Sequence, residues 1–278
     1  MALKRLIASS VALACMLCGC SGEITLPDSG AAQPVQDTGS SDTGSADEAL
    51  VDPPLEESVT QAEAEELQLS GLVICLDPGH GRTEKTAQER VSPLSDETKE
   101  AYVSGASGSS QSEQEVNLAV AQLTRIRLEQ LGAQVVMTRQ TEDATVSNIE
   151  RAEIANNADT DLCIRIHADG ADDPSVSGMS MQVPAGSLLG TPEIEAPSAQ
   201  AAEIILQAVT EATGARSRGL TQRSDLTGFN WSEVPCILLE MGFLSNVQED
   251  ALLATDDYRQ KIADGIVEGV CRWADSIR

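Results

Sequence analysis

The sequence predicts one α/β domain over residues 71–278, with a mostly parallel twisted sheet covered by helices on both faces. Short apolar runs rich in branched residues alternate with longer segments whose apolar residues recur at helical spacing. Several of the apolar runs stop at Gly, Pro or Asp, which is typical of buried strands that enter turns. The composition also changes near residue 70, from acidic and rich in Ser, Gly and Pro to mixed, which favours a single folded unit after that point.

Strands and helices are predicted in regular alternation. The predicted strands cover residues 71–76, 133–139, 161–167, 177–184 and 234–240, and the predicted helices cover residues 113–131, 147–158, 197–213 and about 257–276. Gly132 and Gly214 follow the ends of two of these helices, as expected for glycine at a helix C-terminus. Ser147 or Asn148 is suited to cap the second helix. Residues 83–112 are polar, without sustained periodicity, and are predicted to form a long loop.

The first 70 residues are predicted to lie outside the domain. Residues 1–19 combine a basic start with an apolar run too short to span a bilayer, which is typical of a secretory signal peptide. The sequence Leu-Cys-Gly-Cys that ends at Cys20 resembles a bacterial lipobox, which implies cleavage before Cys20 and lipidation of its thiol. An ordinary signal peptide with an incidental cysteine is the alternative. Residues 20–70 hold twelve acids and no Lys or Arg, so they are predicted to be an acidic disordered linker that tethers the domain to the membrane.

The charge of the domain excludes one class of partner. The formal net charge is −26, of which residues 21–70 carry −12 and the first twenty residues +2, which leaves −16 on residues 71–278. A domain this acidic is repelled by phosphate backbones, so we expect no nucleic-acid partner.

Four cysteines lie in the domain, and they are predicted to be free buried thiols. Three of them, Cys75, Cys163 and Cys236, lie inside apolar strand runs, where a thiol most often acts as a small hydrophobic residue; Cys271 lies in the last helix. Disulfides stay the alternative, because export would permit them. The domain has no Cys-x-x-Cys pair, which argues against a cysteine-rich zinc site.

The only two histidines of the chain both follow predicted strands. His80 comes directly after the turn sequence Asp-Pro-Gly, and His167 ends the strand over residues 161–167. In open α/β sheets, ligands bind at the carboxyl ends of the strands. Two neutral imidazoles at this edge would give a zinc ion two of its ligands. Taken singly, a histidine at a strand end is more often a hydrogen-bonded structural residue.

Acidic residues complete the predicted site. A third ligand is expected at the start of the first helix, from either Glu113 or Glu115, although an acid there also has a structural explanation in the helix dipole. Glu240 closes an apolar strand, where an ionised carboxylate costs several kcal/mol unless it is paired. Beside a metal, it could take a proton from water whose pKa the metal lowers. These residues predict a mononuclear metal hydrolase.

Six short motifs occur in order along the domain. They are Asp-Pro-Gly-His-Gly at Asp77, Glu-x-x-x-Asn-Leu at Glu113, Met-Thr-Arg at Met137, Glu-Arg-x-x-x-Ala-Asn at Glu150, Ile-His-Ala-Asp at Ile166 and Glu-Met-Gly-Phe-Leu-Ser-Asn at Glu240. Together they resemble the zinc-dependent N-acetylmuramoyl-L-alanine amidases, and the resemblance covers essentially all of residues 71–278.

The resemblance implies specific roles. One Zn²⁺ would be bound by His80, Glu113 and His167, and Glu240 would be catalytic. Glu113 is preferred to Glu115 because it keeps the family's spacing to the Asn-Leu pair. The implied reaction is hydrolysis of the amide between N-acetylmuramic acid and L-alanine of the peptidoglycan stem. The protein would then be an exported, membrane-anchored lipoprotein that acts on the cell wall. The alternative is an inactive amidase-like zinc module that binds the wall or regulates another hydrolase.

The spacing of the first two motifs departs from many members of the family. The predicted ligands in these motifs are 33 positions apart, which resembles a longer-loop subgroup from Gram-positive bacteria. Because both ends of the loop are held beside predicted ligands, we hypothesise that residues 83–112 form a flap over the site. Arg223, Asn230 and Trp231 precede the last strand and are expected to line the cleft, although packing explains Trp231 equally well.

Overall fold

The computed structural model describes residues 67–83, 86–109 and 111–278. Its strands are β1 (Val73–Pro78), β2 (Gln88–Arg90), β3 (Thr98–Glu100), β4 (Gln134–Met137), β5 (Leu162–Asp169), β6 (Met179–Pro184), β7 (Ser217–Arg223) and β8 (Cys236–Phe243). Its helices are α1 (Glu113–Gln130), α2 (Asn148–Asn157), α3 (Glu195–Thr213), α4 (Thr227–Asn230), α5 (Val247–Leu253) and α6 (Asp256–Ile277). The predicted signal peptide and almost all of the predicted linker lie outside the described residues.

The predicted mostly parallel sheet is confirmed. Six strands form it in the order β4-β1-β5-β8-β6-β7. All neighbouring strands run parallel except β6 and β8, which are antiparallel. The register places His167 of β5 directly beside Glu240 of β8. The ends of β1, β5 and β8 therefore bring three of the sequence motifs to one edge of the sheet.

One face of the sheet carries the main apolar core. Side chains alternate between the two faces of a strand, so every second residue of β1, β5, β6 and β8 points the same way. On this face the alternation gives fully or almost fully buried aliphatic residues that pack on α1, α3 and α6: Ile74, Leu76, Leu162, Ile164, Ile166, Met179, Met181, Ile237, Leu239 and Met241. Each such side chain stabilises the fold by roughly 1.5–3 kcal/mol.

Helices α3 and α6 approach each other closely on this face. A Cβ added at Gly265 would lie 2.7 Å from Cα of Val209, and one added at Gly269 would lie 2.8 Å from Cα of Ile205. Two glycines four residues apart therefore allow the two backbones to pack tightly.

The opposite face is covered by shorter elements. A smaller apolar cluster joins Cys75, Cys163, Cys236 and Leu238 of the sheet to Ala155 of α2 and Phe229 of α4. Helix α2 begins at the predicted cap, because the side chain of Ser147 accepts a hydrogen bond from the backbone N–H of Glu150. Helices thus cover both faces, as the sequence predicts.

The prediction of a long loop over residues 83–112 is wrong in part. Strands β2 and β3 pair in an antiparallel hairpin within this segment. Each has only three residues, which is too short for hydrophobic periodicity to show. The middle residue of β2 is the buried Glu89, whose carboxylate accepts hydrogen bonds from the side chain of Asn148 and the backbone N–H of Ile149 at the start of α2.

Residues expected to line the cleft instead fasten this hairpin to the body. The amide of Asn230 donates to the carbonyl of Val91 at 2.9 Å, and the indole N–H of Trp231 donates to the carbonyl of Arg90 at 3.0 Å. Both side chains belong to the segment around α4. Packing against the hairpin therefore explains the positions of Asn230 and Trp231. For Trp231, packing is one of the two roles that the sequence allows.

The remaining differences between prediction and structure concern where the domain begins and two additional elements. Leu69 is fully buried in the main core, so the packed part of the chain begins before Gly71. Strand β7 and helix α5 were not predicted.

The four cysteines of the described residues are buried and unbonded, in line with the predicted free thiols. Across the same part of the chain, we find no helix that combines the length and apolar character of a membrane span.

Candidate metal centre

A network of buried charge holds the turn that carries His80. The guanidinium of Arg139 donates to the carbonyls of Pro78 and Gly79, each at 2.9 Å. Arg151 donates to the carbonyl of His80 itself. His80 has a left-handed backbone with φ of 58°, a conformation that costs roughly 1–3 kcal/mol in a residue with a side chain. The two arginines therefore hold His80 in a strained but defined position.

Asp77, at the carboxyl end of β1, is the counter-charge of this network. Its carboxylate lies 2.7 Å from Nε of Arg165 and also binds Arg151 and the hydroxyl of Thr138. Burial alone would raise the pKa of Asp77, but the two guanidinium groups more than offset burial and hold the pKa well below its usual range. Asp77 is therefore ionised, and it stabilises the positive charges that orient the His80 turn.

The ring of His80 is oriented by the segment that follows the hairpin. Its Nδ1 lies 2.8 Å from the carbonyl oxygen of Val103, which can only accept, so Nδ1 carries the proton. In a neutral imidazole Nε2 then has a free lone pair. This atom faces Oε1 of Glu113 at 3.2 Å, and the carboxylate is also an acceptor. Two acceptors face each other, an arrangement that a cation between them would stabilise.

Glu113 is buried at the first position of α1. Its Oε2 accepts from the backbone N–H of Ala106 at 2.7 Å, and its Oε1 accepts from the backbone N–H of Ala168 at 3.2 Å. Burial would raise its pKa, but the neighbouring histidines, His167 with its Nδ1 hydrogen-bonded to the carboxylate above all, hold the pKa well below the usual range. Glu115 points away, since its exposed carboxylate accepts from the backbone and hydroxyl of Ser112. Of the two acids that the residues alone left open, the structure brings only Glu113 to the histidines.

His167 completes the cluster from β5. Its Nδ1 lies 3.0 Å from Oε1 of Glu113, while its buried Nε2 has no hydrogen-bond partner among the described residues. Burial lowers the pKa of His167 to about 4, so the imidazole is neutral. The ring packs directly on Gly79, where an added Cβ would lie 2.1 Å from its Cε1. Glycine is therefore required at position 79 for the ring to occupy this place.

The three side chains suit a metal ion. One ligand atom from each of His80, Glu113 and His167 can be chosen so that all three lie within 4.8 Å of one another. The set contains an unpaired imidazole nitrogen and two facing acceptors, which a cation would satisfy. Two imidazoles and one carboxylate match zinc better than magnesium or calcium, which prefer oxygen ligands alone.

Glu240 lies beside this cluster on the same face of the sheet. Burial, together with the nearby carboxylates of Asp169 and Glu113, raises the pKa of Glu240 well above its usual range. Its Oε1 accepts a hydrogen bond from the side chain of Gln182 at 3.1 Å, whereas Oε2 is buried and has no hydrogen-bond partner in the described part of the chain. A carboxyl of raised pKa with one free oxygen is suited to exchange protons near neutral pH.

A cleft of about 400 Å³ opens onto the two histidines. Its lining comes from the turn after β1, the segment over residues 99–103, the start of α2, the polar face of the sheet and the loop before α4: His80, Lys99, Glu100, Val103, Asn148, Arg165, His167, Leu226 and Leu238. The hairpin segment thus forms one wall of the cleft. Of the residues expected to line it, Arg223 reaches the site only indirectly, through Gln182, to whose side-chain oxygen it donates at 2.8 Å.

The sequence of the domain matches a known protein family. Residues 74–272 match the family described as N-acetylmuramoyl-L-alanine amidase. The matched region contains all four site residues that the sequence singled out.

Individual relatives and solved structures agree with the family match. The chain is 28% identical over 220 residues to the N-acetylmuramoyl-L-alanine amidase Rv3717 of Mycobacterium tuberculosis, covering 76% of this chain and 90% of that protein. It is 27% identical to the N-acetylmuramoyl-L-alanine amidase AmiA of Escherichia coli, covering 73% of this chain and 78% of that protein. The crystal structure of the amidase Ami1 from Mycobacterium smegmatis superposes with a TM-score of 0.69 at 27% identity, covering 75% of this chain and 99% of that one.

Proposed function

This chain belongs to the N-acetylmuramoyl-L-alanine amidase family, and from that premise we propose that it is a zinc-dependent hydrolase of the amide between N-acetylmuramic acid and L-alanine in peptidoglycan. One observation carries the proposal: His80, Glu113 and His167 converge on one point, beside the buried Glu240, whose Oε2 has no hydrogen-bond partner in the part of the chain that the structure describes. Metal ligands and a proton acceptor within one cleft are the requirements of metal-assisted hydrolysis.

The three ligands have separate supports that prepare them for a metal. The carbonyl of Val103 fixes the tautomer of His80 with Nε2 free. Backbone N–H groups of Ala106 and Ala168 hold the Glu113 carboxylate, and Gly79 leaves room for the ring of His167. Bound zinc would polarise the carbonyl of the scissile amide and lower the pKa of water to about 7.

Glu240 would move the proton in the reaction. Its Oε2 accepts a proton from the attacking water, and the same carboxyl then donates it to the nitrogen of the leaving L-alanine. The partly desolvated surroundings that raise its pKa make it a stronger base than a carboxylate in water.

The test is mass spectrometry of the fragments that the purified protein releases from intact sacculi. We expect free stem peptides that begin with L-alanine, together with glycan strands that keep their lactyl groups. Glu240→Gln should lower the rate by about 10²- to 10⁴-fold, the usual contribution of a general base, while zinc stays bound. Glu268→Gln makes the same change on an exposed face of α6 and serves as the control.

Two results would contradict the proposal. Cleavage at another bond would assign a different hydrolase. A protein that binds zinc and sacculi but releases no fragments would be the inactive wall-binding module.

We also propose that the protein is exported and anchored to the membrane by a lipid on Cys20, with residues 20–70 as an acidic tether. The support is the lipobox-like sequence and the composition of that segment, which lies almost wholly outside the described residues. Cys20→Ser should move the protein from the membrane fraction to the medium. If the wild-type protein is already in the medium, the lipid anchor is wrong.

A further inference from the structure

The catalytic carboxylate is held by a side chain that none of the sequence motifs contains. Gln182 lies on β6, and its Nε2 donates to Oε1 of Glu240 at 3.1 Å. Arg223, on β7, donates to Oε1 of Gln182 at 2.8 Å. The same guanidinium binds Asp225 through two further hydrogen bonds, each 2.8 Å long. Four side chains therefore form one line of hydrogen bonds that ends on Glu240.

The direction of these bonds is fixed by chemistry. A guanidinium has donors only, so the atom of Gln182 that faces Arg223 must be the oxygen. The amide nitrogen of Gln182 then has to face Glu240. Because Asp225 holds the guanidinium by two bonds, the amide of Gln182 is not free to turn over.

The consequence for Glu240 concerns which of its two oxygens acts. Oε1 receives the hydrogen bond from Gln182, and Oε2 remains without a partner among the residues that the structure describes. We propose that Gln182, oriented by Arg223, is a positioning residue that fixes the Glu240 carboxylate so that Oε2 alone faces the reacting water. This inference rests on the proposed amidase function.

A purely structural role for Gln182 would give a different result. Its side chain links β6 to β7 through Arg223 and β6 to β8 through Glu240, so it also ties neighbouring strands together. Two variants separate these roles. Gln182→Glu keeps an acceptor for Arg223 but loses the donor toward Glu240, whereas Gln182→Met loses both.

The experiment measures kcat and KM on a soluble muropeptide for the full-length protein, together with bound zinc and the melting temperature. We expect both variants to lower kcat by roughly tenfold to hundredfold, which is the effect of a hydrogen bond to a charged group, with KM and zinc content unchanged. Gln207→Met is the matched control, because Gln207 also donates to a glutamate, Glu211, that an arginine binds. That pair is exposed on α3 and should leave kcat unchanged.

A double variant makes the test decisive. If Gln182 acts through Glu240, Gln182→Met should not lower the residual rate of Glu240→Gln any further. Wild-type kcat in Gln182→Glu would overturn the inference, as would equal and independent losses in the double variant. An inactive wild-type protein in the same assay would instead refute the proposed amidase function, so the two failures are distinguishable.

Discussion

On β5, Ile164 and Ile166 point to the face of the sheet that α1, α3 and α6 cover, whereas Arg165 and His167 point to the other. Strand β8 repeats this division, with Leu239 on the first face and Glu240 on the second. The two faces share one backbone and one register. On these two strands, the apolar face carries buried hydrocarbon and thioether side chains, while the polar face ends in ionisable groups at the carboxyl edge.

The difference shows how the strands divide stability from chemistry. On the apolar face, burial alone is favourable, and no partner has to be placed accurately. On the polar face, each buried charge destabilises the fold unless a partner is positioned for it. Asp77 has two arginines, and the Glu113 carboxylate has two backbone N–H groups. Oε2 of Glu240 has no hydrogen-bond partner among the described residues, so this buried carboxyl is only partly stabilised.

Two neighbouring residues of β5 allow a direct test of this division. We expect His167→Ala to abolish both stoichiometric zinc binding and muropeptide release, because it removes one of the three proposed protein ligands. The melting temperature of the metal-free protein should change little. Ile166→Ala should do the opposite: it should destabilise the fold by about 2–5 kcal/mol, because it leaves a cavity in the core, and keep zinc binding and activity below its melting temperature.

The measurements are metal content after dialysis, denaturant unfolding and muropeptide release, all on both variants. Stoichiometric zinc at wild-type affinity in His167→Ala would rule out that ligand. A loss of zinc in folded Ile166→Ala would show that the two faces are not independent.

Part of this division could be predicted from the sequence. Both histidines are rare residues placed directly after strands, and Glu240 is an acid at the end of an apolar run, so each was visible without a structure. The residues alone do not decide between Glu113 and Glu115, because both lie in the first turn of the same helix. Which of them faces inward depends on the rotation of α1, and the residues alone carried too weak a signal to fix it. The resemblance to the amidases favoured Glu113, which is the acid that the structure brings to the histidines.

The rest depends on contacts between distant parts of the chain. Gln182 is 58 positions from Glu240, and nothing in the local sequence of β6 marks it. Strand β7 is an exposed, polar edge strand, so it lacks the apolar alternation that reveals other strands. The hairpin β2–β3 has strands of three residues and a buried glutamate. In each case the tertiary partner, and not the local pattern, determines the structure.

The buried charge on the polar face provides the second test. Asp77→Asn should destabilise the fold by about 3–5 kcal/mol, because it leaves Arg151 and Arg165 buried without a counter-charge. Thr138→Val keeps all three charges but removes the hydroxyl that donates to the ionised Asp77 carboxylate and accepts from Arg151 at 3.4 Å. It is the control, with a smaller expected loss of about 1.5–3 kcal/mol. Equal stability of Asp77→Asn and the wild-type protein in urea would mean that the network does not support the polar face.

The same variant should change how stability depends on pH. The folded pKa of Asp77 lies well below that of the unfolded chain, so its contribution is fully present above pH ~4 and is lost as the pH falls below that value. The melting temperature of the wild-type protein should therefore fall between pH ~4 and more acidic conditions. Asp77→Asn should show a shallower fall over the same range. Parallel curves for the two proteins would assign acid sensitivity to other carboxyl groups.

The smallest expected effect comes from Trp231, on the polar side of the sheet, and Trp273, on the apolar side, provides the comparison. Trp273 of α6 is 4% exposed and lies within the apolar core, whereas Trp231 is half-buried and uses its indole N–H to fasten the hairpin at Arg90. Trp231→Phe should cost about 1 kcal/mol, or roughly 2–4 °C in melting temperature, because it removes one hydrogen bond. Trp273→Phe should cost more, because it leaves a cavity in a packed core.

The activity of Trp231→Phe makes this last comparison informative. The hairpin leads directly into Val103, whose carbonyl orients His80, so a displaced hairpin would also displace one of the proposed metal ligands. Asn230 still holds the hairpin at Val91, and Ser92 still donates to the carbonyl of Leu188. We therefore expect unchanged muropeptide release from the tryptophan variant. A loss of muropeptide release under conditions where the variant is fully folded would mean that this one hydrogen bond sets the position of the cleft wall. The hairpin β2–β3 would then be part of the site.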